Sequence, residues 1–558
     1  MTYNPHPTRF SPVRAGLSLA VMLLAAAVGK AGDPAATVTW DESAARHLLS
    51  RACFGGTPGQ AKALAALPLE KAIDGLLDEA AKAEPLDRPE WVRDVWVNTL
   101  RRYSDMPREE YLVTFRRTST RNDDELLDLK ARWVRRMATT PAPLRENLTL
   151  FWHGHFTSAS RTMFGVSQAF YQQNATWRAH SLGNFRTFLE AATLDPGMMI
   201  YLDMEESEKA NPNENYAREL LELFALGVGN YTEKDIREVA RSLTGWTLDA
   251  PPGTVKPDRP TSAETARSLR RDGLVPTFVA ARHDAGEKTV FGKAGKFGVK
   301  EVLDLVVAHP ACGPHVAGKL IDYFGADDPD GTLKTRMAKA FDDGKYELPP
   351  MLKVLFTSPE FYAPRTRGNR VKSPIRLLVG ACRDFDLQGE VTPSLAQAVV
   401  PLGQELFNPP TVKGWPSGSE WITATTLALR YRLGEVGLDG KPLTGTQPLG
   451  RLRGTLIPRD PAEAKKTITR LLALDAEKAD STGKDGIKVR FEPDKIVPKG
   501  QADDPEKLVD HLLARVLVVK PRTATRDAIV EACRAVPAAD RAKLAARLIL
   551  ASPEYQVE

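Results

Sequence analysis

Apolar residues recur at three- and four-residue intervals along most of this chain, a period that predicts amphipathic helices. They fall at 41–53, 58–83, 107–137, 140–153, 167–194, 211–226, 232–244, 299–308, 312–324, 332–341, 349–358 and 371–384, with further helices at 505–518 and 523–551. Strand patterning is scarce. Its clearest instance is 276–292, where Thr277, Phe278 and Val279 and then the run from Lys288 to Phe291 flank His283, Asp284, Ala285 and Gly286, which predicts a β-hairpin. Just before it, 250–274 is rich in proline and charge without a period and reads as a loop or insertion. The predicted fold class is mainly α. A large multi-helical body over 40–433 carries the small β-hairpin insertion; an irregular linker over 434–504 holds one helical patch at 461–475; and C-terminal helices over 505–558 pack on the main domain. Two segments, MLKVLFTSPEFY at 351–362 and ARLILASPEYQ at 546–556, both close an apolar helix with Ser-Pro-Glu-aromatic, since the residue before proline disfavours the helical region.

The stretch 211–246, NPNENYARELLELFALGVGNYTEKDIREVARSLTGW, spells two capped helices. Asn211 suits the N-cap, Pro212 the first helical position and Glu214 the N3 position, and Gly227 supplies a left-handed stop. Tyr216, Leu220, Leu223 and Phe224 form the apolar face. Opposite them Glu214, Arg218 and Glu222 stand at i, i+4, i+8 beside the pair Asn215 and Glu219. They are either a solvated face of ion pairs or a carboxylate, amide and guanidinium wall facing a cleft. Thr232 and Asp235 make a capping box for the second helix, which runs to Gly245. Trp246, just beyond, either folds back as packing or lines a pocket.

In these residues the chain resembles the bacterial domain of unknown function 1800 family. NENYARELLELFALGVGNYTE and REVARSLTGW carry the resemblance, together with AARHLLSRACFGGTP at 44–58, LRENLTLFWHGHF at 144–156, HDAGEKTVFG at 283–292, VKSPIRLLVGACR at 371–383 and PPTVKGWPSGSEW at 409–421. The resemblance implies a secreted, mostly helical bacterial protein without assigned chemistry. It also implies, as a partner, a co-encoded exported protein of the domain of unknown function 1501 family.

The N-terminus fits that expectation. Arg9 and Arg14 precede an apolar run over 15–28, and Gly29 and Ala31 stand at −3 and −1 of a cleavage site, so 1–31 reads as a signal peptide and the protein as secreted or periplasmic. The run is shorter than the ~20 residues that span a bilayer, and no later segment of the mature chain reads as transmembrane. The formal charge is +5, and removal of Arg9, Arg14 and Lys30 leaves +2. Such a balance argues against nucleic acid as the main partner. Cys53, Cys312, Cys382 and Cys533 lie far apart and form no CxxC pair; an even number permits two disulfides, but a chain this long buries a core unaided, which favours buried free thiols. The motifs of common hydrolases, nucleotide-binding loops and haem attachment are absent.

Three constellations could carry chemistry. Trp152-His153-Gly154-His155 ends a helix opened by Thr140 and Pro141. On a continuing helix the two imidazoles point about 200° apart, so they share a metal only if Gly154 ends it. With Glu219 and Glu222 they would form a ligand set for a divalent metal such as zinc, iron or manganese; the other reading is a hydrogen-bonded structural pair. In HDAGEK, His283 and Asp284 are either a base and its orienter with Lys288 as anion contact, or a plain tight turn. In PPTVKGWPSGSEW, Trp415 and Trp421 either stack on a ligand, sugars especially, with Lys413 beside them, or clamp the loop to the body. Two functional readings follow. In one, His153, His155, Arg218, Glu219, Glu222, His283 and Asp284 are the catalytic groups of a metal-dependent enzyme acting on an extracellular substrate, with Asn215, Trp246, Lys288, Lys413, Trp415 and Trp421 binding that substrate. In the other they are structural, and the protein is a non-catalytic secreted binding or assembly module.

Overall fold

The computed structural model describes residues 37–92, 108–161, 167–249, 275–387, 389–439 and 488–558. The expected signal peptide, the insertion at 250–274 and the helical patch at 461–475 lie outside the described residues.

Helices dominate, and their breaks follow local chemistry. The first are α1 (Glu42–Cys53), α2 (Pro58–Ala65) and α3 (Leu69–Ala81), the last two read as one helix from sequence but divided at Pro68, whose missing N–H and fixed φ interrupt the run. Then come α4 (Arg108–Thr139) and α5 (Pro143–His155), which begins at Pro143 and not Pro141. The predicted helix 167–194 is likewise two, α6 (Ser167–His180) and α7 (Phe185–Thr193), the second capped by Asn184 Oδ1 accepting from Thr187 N–H. A short α8 (Pro196–Tyr201) follows, capped by Asp195.

The next helix, α9 (Glu214–Glu219), starts two residues later than the sequence suggested. Asn213 is the cap, its side chain accepting from Asn215 N–H at 2.9 Å, while Asn211 pairs with Glu208 in an isolated bridge. Glu214 is therefore the first helical residue, not N3. Past Glu219 the helix widens into a π turn, Leu220–Ala225, and stops at Gly227 (φ 82°), with the N–H groups of Leu226 and Gly227 sharing Leu221 O. α10 (Glu233–Ser242) carries the predicted capping box between Thr232 and Asp235.

The β prediction is right in type and wrong in pairing. β1 (Trp246–Asp249) pairs antiparallel with β2 (Val275–Phe278), Trp246 opposite Phe278; β3 (Lys288–Val290) pairs with β4 (Lys293–Gly295). The two flanks of the expected hairpin thus belong to separate sheets. Thr244 Oγ1 accepts from Asp284 N–H and Arg241 holds the Asp284 carboxylate, which pins the intervening turn to α10 and turns β3 away from β2. β3 closes on β4 instead through Phe291 and Gly292, both at positive φ as a two-residue hairpin turn requires.

The remaining helices are α11 (Val299–Val307), α12 (Cys312–Phe324), α13 (Thr332–Asp343), α14 (Leu348–Thr357), α15 (Pro359–Tyr362), α16 (Pro374–Asp384), α17 (Pro393–Gln397), α18 (Ala424–Tyr431), α19 (Leu433–Asp439), α20 (Pro505–Val516), α21 (Thr523–Arg534) and α22 (Ala538–Ala551). The Ser-Pro-Glu echo is a shared construction. Ser358 and Ser552 each donate to a carbonyl three residues back at 2.7 Å and accept from an N–H three residues on at 3.3 Å. Glu360 pairs with Arg336 at 2.6 Å and Glu554 with Arg522 at 2.8 Å. The chain segments beyond the two motifs then meet: Val371 bridges Val557, and Lys372 N–H donates to Gln556 O. The C-terminal helices are thereby tied to α16.

The core centres on the contacting rings of Trp152, Phe156, Trp177, Phe188 and Phe224, all fully buried, with Trp152 stacked on Phe156 and the others tilted or edge-to-face. Each such side chain contributes roughly 1.5–3 kcal/mol by leaving water. All four cysteines are free and buried. Among the described residues no helix is long and apolar enough to cross a membrane.

Candidate functional site

Along α5, Asn147, Leu150, Phe151, Gly154 and His155 recur at three- and four-residue spacing and so share one face. Four of them, Leu150, Phe151, Gly154 and His155, line a cleft of about 190 Å³. The absence of a side chain at Gly154 lets the loop 409–421 lie flush on the helix. A Cβ at Gly414, which sits at φ 86°, would fall 2.4 Å from Gly154 O, and the Trp415 ring passes 3.7 Å from where a Gly154 Cβ would be. The loop contributes Val412, Lys413, Trp415, Pro416, Ser417, Gly418 and Trp421 to the lining. Trp421 is only 4 % exposed and anchors the loop, whereas Trp415 is half-buried and its buried Nε1–H has no acceptor among the described residues.

The opposite wall comes from α12, which presents Lys319, Asp322 and Tyr323 at helical spacing, and from Arg370, Ser373 and Arg376 at the start of α16. Its floor is a buried network. Arg376 grips the Glu558 carboxylate at 2.9–3.1 Å, and also donates to Asn147 Oδ1 at 2.8 Å and Arg51 O at 2.7 Å. Tyr323 O–H donates to Asn147 Oδ1 at 2.7 Å, and Arg51 donates to Glu558 O, Thr366 O and Asn369 Oδ1, each at 2.6 Å. Burial alone would raise the Glu558 carboxyl, but Arg376, Arg51 and Lys372 hold it below its usual value.

Positive charge exceeds negative here. Behind the floor, Lys372 is buried with its ammonium 3.9 Å from the Tyr555 ring centroid, and Asp384 accepts from Tyr555 O–H at 2.9 Å. Burial pushes the Asp384 carboxyl up to about 6. Arg430, fully buried, donates to Lys372 O and Gln556 Oε1 and meets no carboxylate among the described residues. Desolvation pulls Arg51 and Arg430 each down to about 10. The buried cations Arg51, Lys372, Arg376 and Arg430 thus face only the carboxylates Glu558 and Asp384. In the cleft itself Arg370, half-buried and drawn by Glu558 and Asp322, and the exposed Lys319 and Lys413, the latter drawn by Glu219, add charge without forming an ion pair among the described residues.

Four of the sequence candidates, His155, Lys413, Trp415 and Trp421, line this cleft. Two more stand on the adjoining helix: Glu219, whose carboxyl is raised by burial and by Glu222 against the pull of Lys413, and Glu222, which accepts from Tyr231 O–H at 3.4 Å. The metal set of His153, His155, Glu219 and Glu222 is not assembled. α5 continues through Gly154 to His155, so the rings diverge. His153 Nε2 accepts from Phe407 N–H at 2.9 Å, and His155 Nε2–H donates to Phe224 O at 2.9 Å. The His153 Nε2 lone pair is thus taken by a backbone N–H, and among the described residues no three His, Cys, Asp or Glu side chains converge to hold a metal. Burial depresses both imidazoles to about 3, keeping them neutral. His155 and His315 act structurally, capping Phe224 O and Leu223 O, carbonyls of the π turn.

The other candidates lie outside the cleft. Arg218 is an exposed bridge to Glu233 at 2.8–2.9 Å, and Asn215 is exposed with its N–H held by the Asn213 cap. Asp284 binds Arg241 at 2.7 Å, Lys288 donates to the carbonyls of Asp284 and Gly286, and His283 Nδ1–H donates to Thr244 O at 2.9 Å, so HDAGEK is a staple on α10. Trp246 packs in β1 against Phe278. Sequence reading missed Lys319, Asp322, Tyr323, Arg370, Arg376 and Glu558. The one available signal was Arg376, a guanidinium inside the apolar run of α16. A larger cleft of about 470 Å³, lined by Glu206, Glu208, Asn211, Asn213, Thr247, Val279 and Arg282, is less informative despite its size. Arg282 there is matched by Glu208 at 3.4 Å and donates to Glu205 O at 3.1 Å, so its lining has no cation in excess of its carboxylates.

Fold and site together define a mainly helical protein with a preformed cleft that is cationic on one wall and aromatic on the other. The chain belongs to a protein family of unknown function, DUF1800, whose model matches residues 47–557. No curated protein and no solved structure matches the chain.

Proposed function

We propose that this is an exported binding protein whose tryptophan-loop cleft receives a small anionic ligand. The observation that carries the reading is the excess of buried and cleft-lining cations over carboxylates. A charge taken from water without a partner is costly, and a guanidinium left open in a walled cleft is matched best by a carboxylate or another oxyanion. The rigid seat of the loop on Gly154 supports a preformed site, which lowers the ordering cost of binding. The signal-like leader over 1–31 supports export, and a co-encoded exported protein of the domain of unknown function 1501 family is the expected partner.

Titration calorimetry of the purified protein against small carboxylates, phosphate, sulfate and their neutral analogues tests this. Saturable 1:1 binding of an anion, lost on Arg370→Gln, is expected; indifference to every anion would refute it.

A further inference from the structure

We infer that the occupant of this cleft is a single carboxylated sugar unit, the uronic acid end of an acidic polysaccharide; this rests on the anion-binding reading above. Three observations converge. The first is size. At about 30 Å³ per water, the 190 Å³ cleft holds the equivalent of about six waters, the room of one monosaccharide-sized unit.

The second is the mixture of donors and acceptors. Arg370, half-buried, and the exposed Lys319 and Lys413 offer N–H donors with no hydrogen-bond partner among the described residues, while Asp322 lines the same space as an acceptor; Glu558 and Gln404 beside it already accept from Arg376 and Ile375 N–H. A dianionic phosphate would meet repulsion from Asp322, whose carboxylate has no ion pair among the described residues. A planar carboxylate fits the Arg370 guanidinium fork with one charge, and a sugar hydroxyl donates to Asp322, an acceptor that a bare anion leaves unused. The third is the apolar wall of Phe151 and Trp415, which offers ring surface to the C–H face of a pyranose. Acetate would use only the cations, and a neutral hexose would leave them unmatched. A uronate engages all three features.

The test is calorimetric titration of the purified protein with galacturonate, glucuronate, glucose, glucose 6-phosphate and acetate at fixed ionic strength, with Trp415 fluorescence as a second readout. A uronate binding at least tenfold more tightly than glucose, acetate and glucose 6-phosphate is expected, with a change in indole emission. Arg370→Gln should erase the preference for uronate over glucose without moving the thermal midpoint, and Trp415→Ala should erase the preference for uronate over acetate. Glucose 6-phosphate or acetate binding as tightly as the uronates would overturn the sugar-acid assignment and leave the anion cleft standing. Failure of every anion to bind would overturn both.

Discussion

The turn at 283–288 and the loop at 409–421 look equally rich in chemistry as sequence, and the fold treats them in opposite ways. In the turn, Asp284, Lys288 and His283 are each bonded to α10 or to the turn's own carbonyls. Beside the loop, Arg370, Lys319, Lys413 and the Trp415 N–H stand without a described partner. Lys319 and Lys413 are exposed and solvated, but Arg370 is half-buried and the Trp415 N–H buried; a buried polar group left unmatched costs about 1–3 kcal/mol, so these two in one cleft point to a ligand in a way that a dense, fully bonded motif does not. The same distinction separates the two cavities, since the cation of the 470 Å³ one, Arg282, is paired with Glu208.

The sharpest way to break the comparison is at the cleft floor. Glu558→Gln would strand Arg376 without its carboxylate, and loss of one partner of a buried pair costs about 3–5 kcal/mol. Urea unfolding should show a loss in that range, and a loss below about 1 kcal/mol would mean that the network behaves like a surface pair.

Acid titration gives the next largest effect. His47, His153 and His155 sit near pKa 3 in the fold because of burial, against about 6.5 when unfolded. These depressed values favour folding fully above pH 6.5, and the contribution is lost as pH falls from 6.5 toward 3. Burial acts oppositely on Asp195, raised to about 7, and on Asp384, raised to about 6, which bind protons in the fold first and partly offset the histidines between pH 4 and 6. His155→Asn should therefore flatten the pH dependence of stability in that window by about one proton, or about 1.4 kcal/mol per pH unit, as read from denaturation midpoints at several pH values. An unchanged slope would mean that His155 is not held neutral.

Gly414→Ala forces a side chain into positive φ and against Gly154 O, an expected loss of about 1–3 kcal/mol, together with weaker ligand binding because the loop would lift off α5. Smallest of all, Asp284→Asn should cost about 1 kcal/mol or less, since its pairing with Arg241 is partly exposed. Ligand affinity should not change.

Local chemistry was legible where it had one solution. Thr232 and Asp235 formed the capping box their spacing demanded. The start of α9 was ambiguous because Asn211 and Asn213 are both competent caps, and Ser207 Oγ, accepting from Asn213 N–H, favours the second. The strands were visible but their partners were not, since a tertiary bond from Arg241 redirects β3. The cleft was legible only in part. Trp415, Trp421, Lys413 and His155 announced themselves as motif residues, whereas Lys319, Arg370, Arg376 and Glu558 come from distant segments with no spacing rule to join them.

The most direct measurement compares Arg370→Gln with Asp284→Asn in galacturonate titrations run beside the unaltered protein. At least a tenfold loss of affinity is expected in Arg370→Gln and none in Asp284→Asn. Binding that survives Arg370→Gln but falls in Asp284→Asn would contradict a ligand site in the tryptophan-loop cleft and move it to the turn.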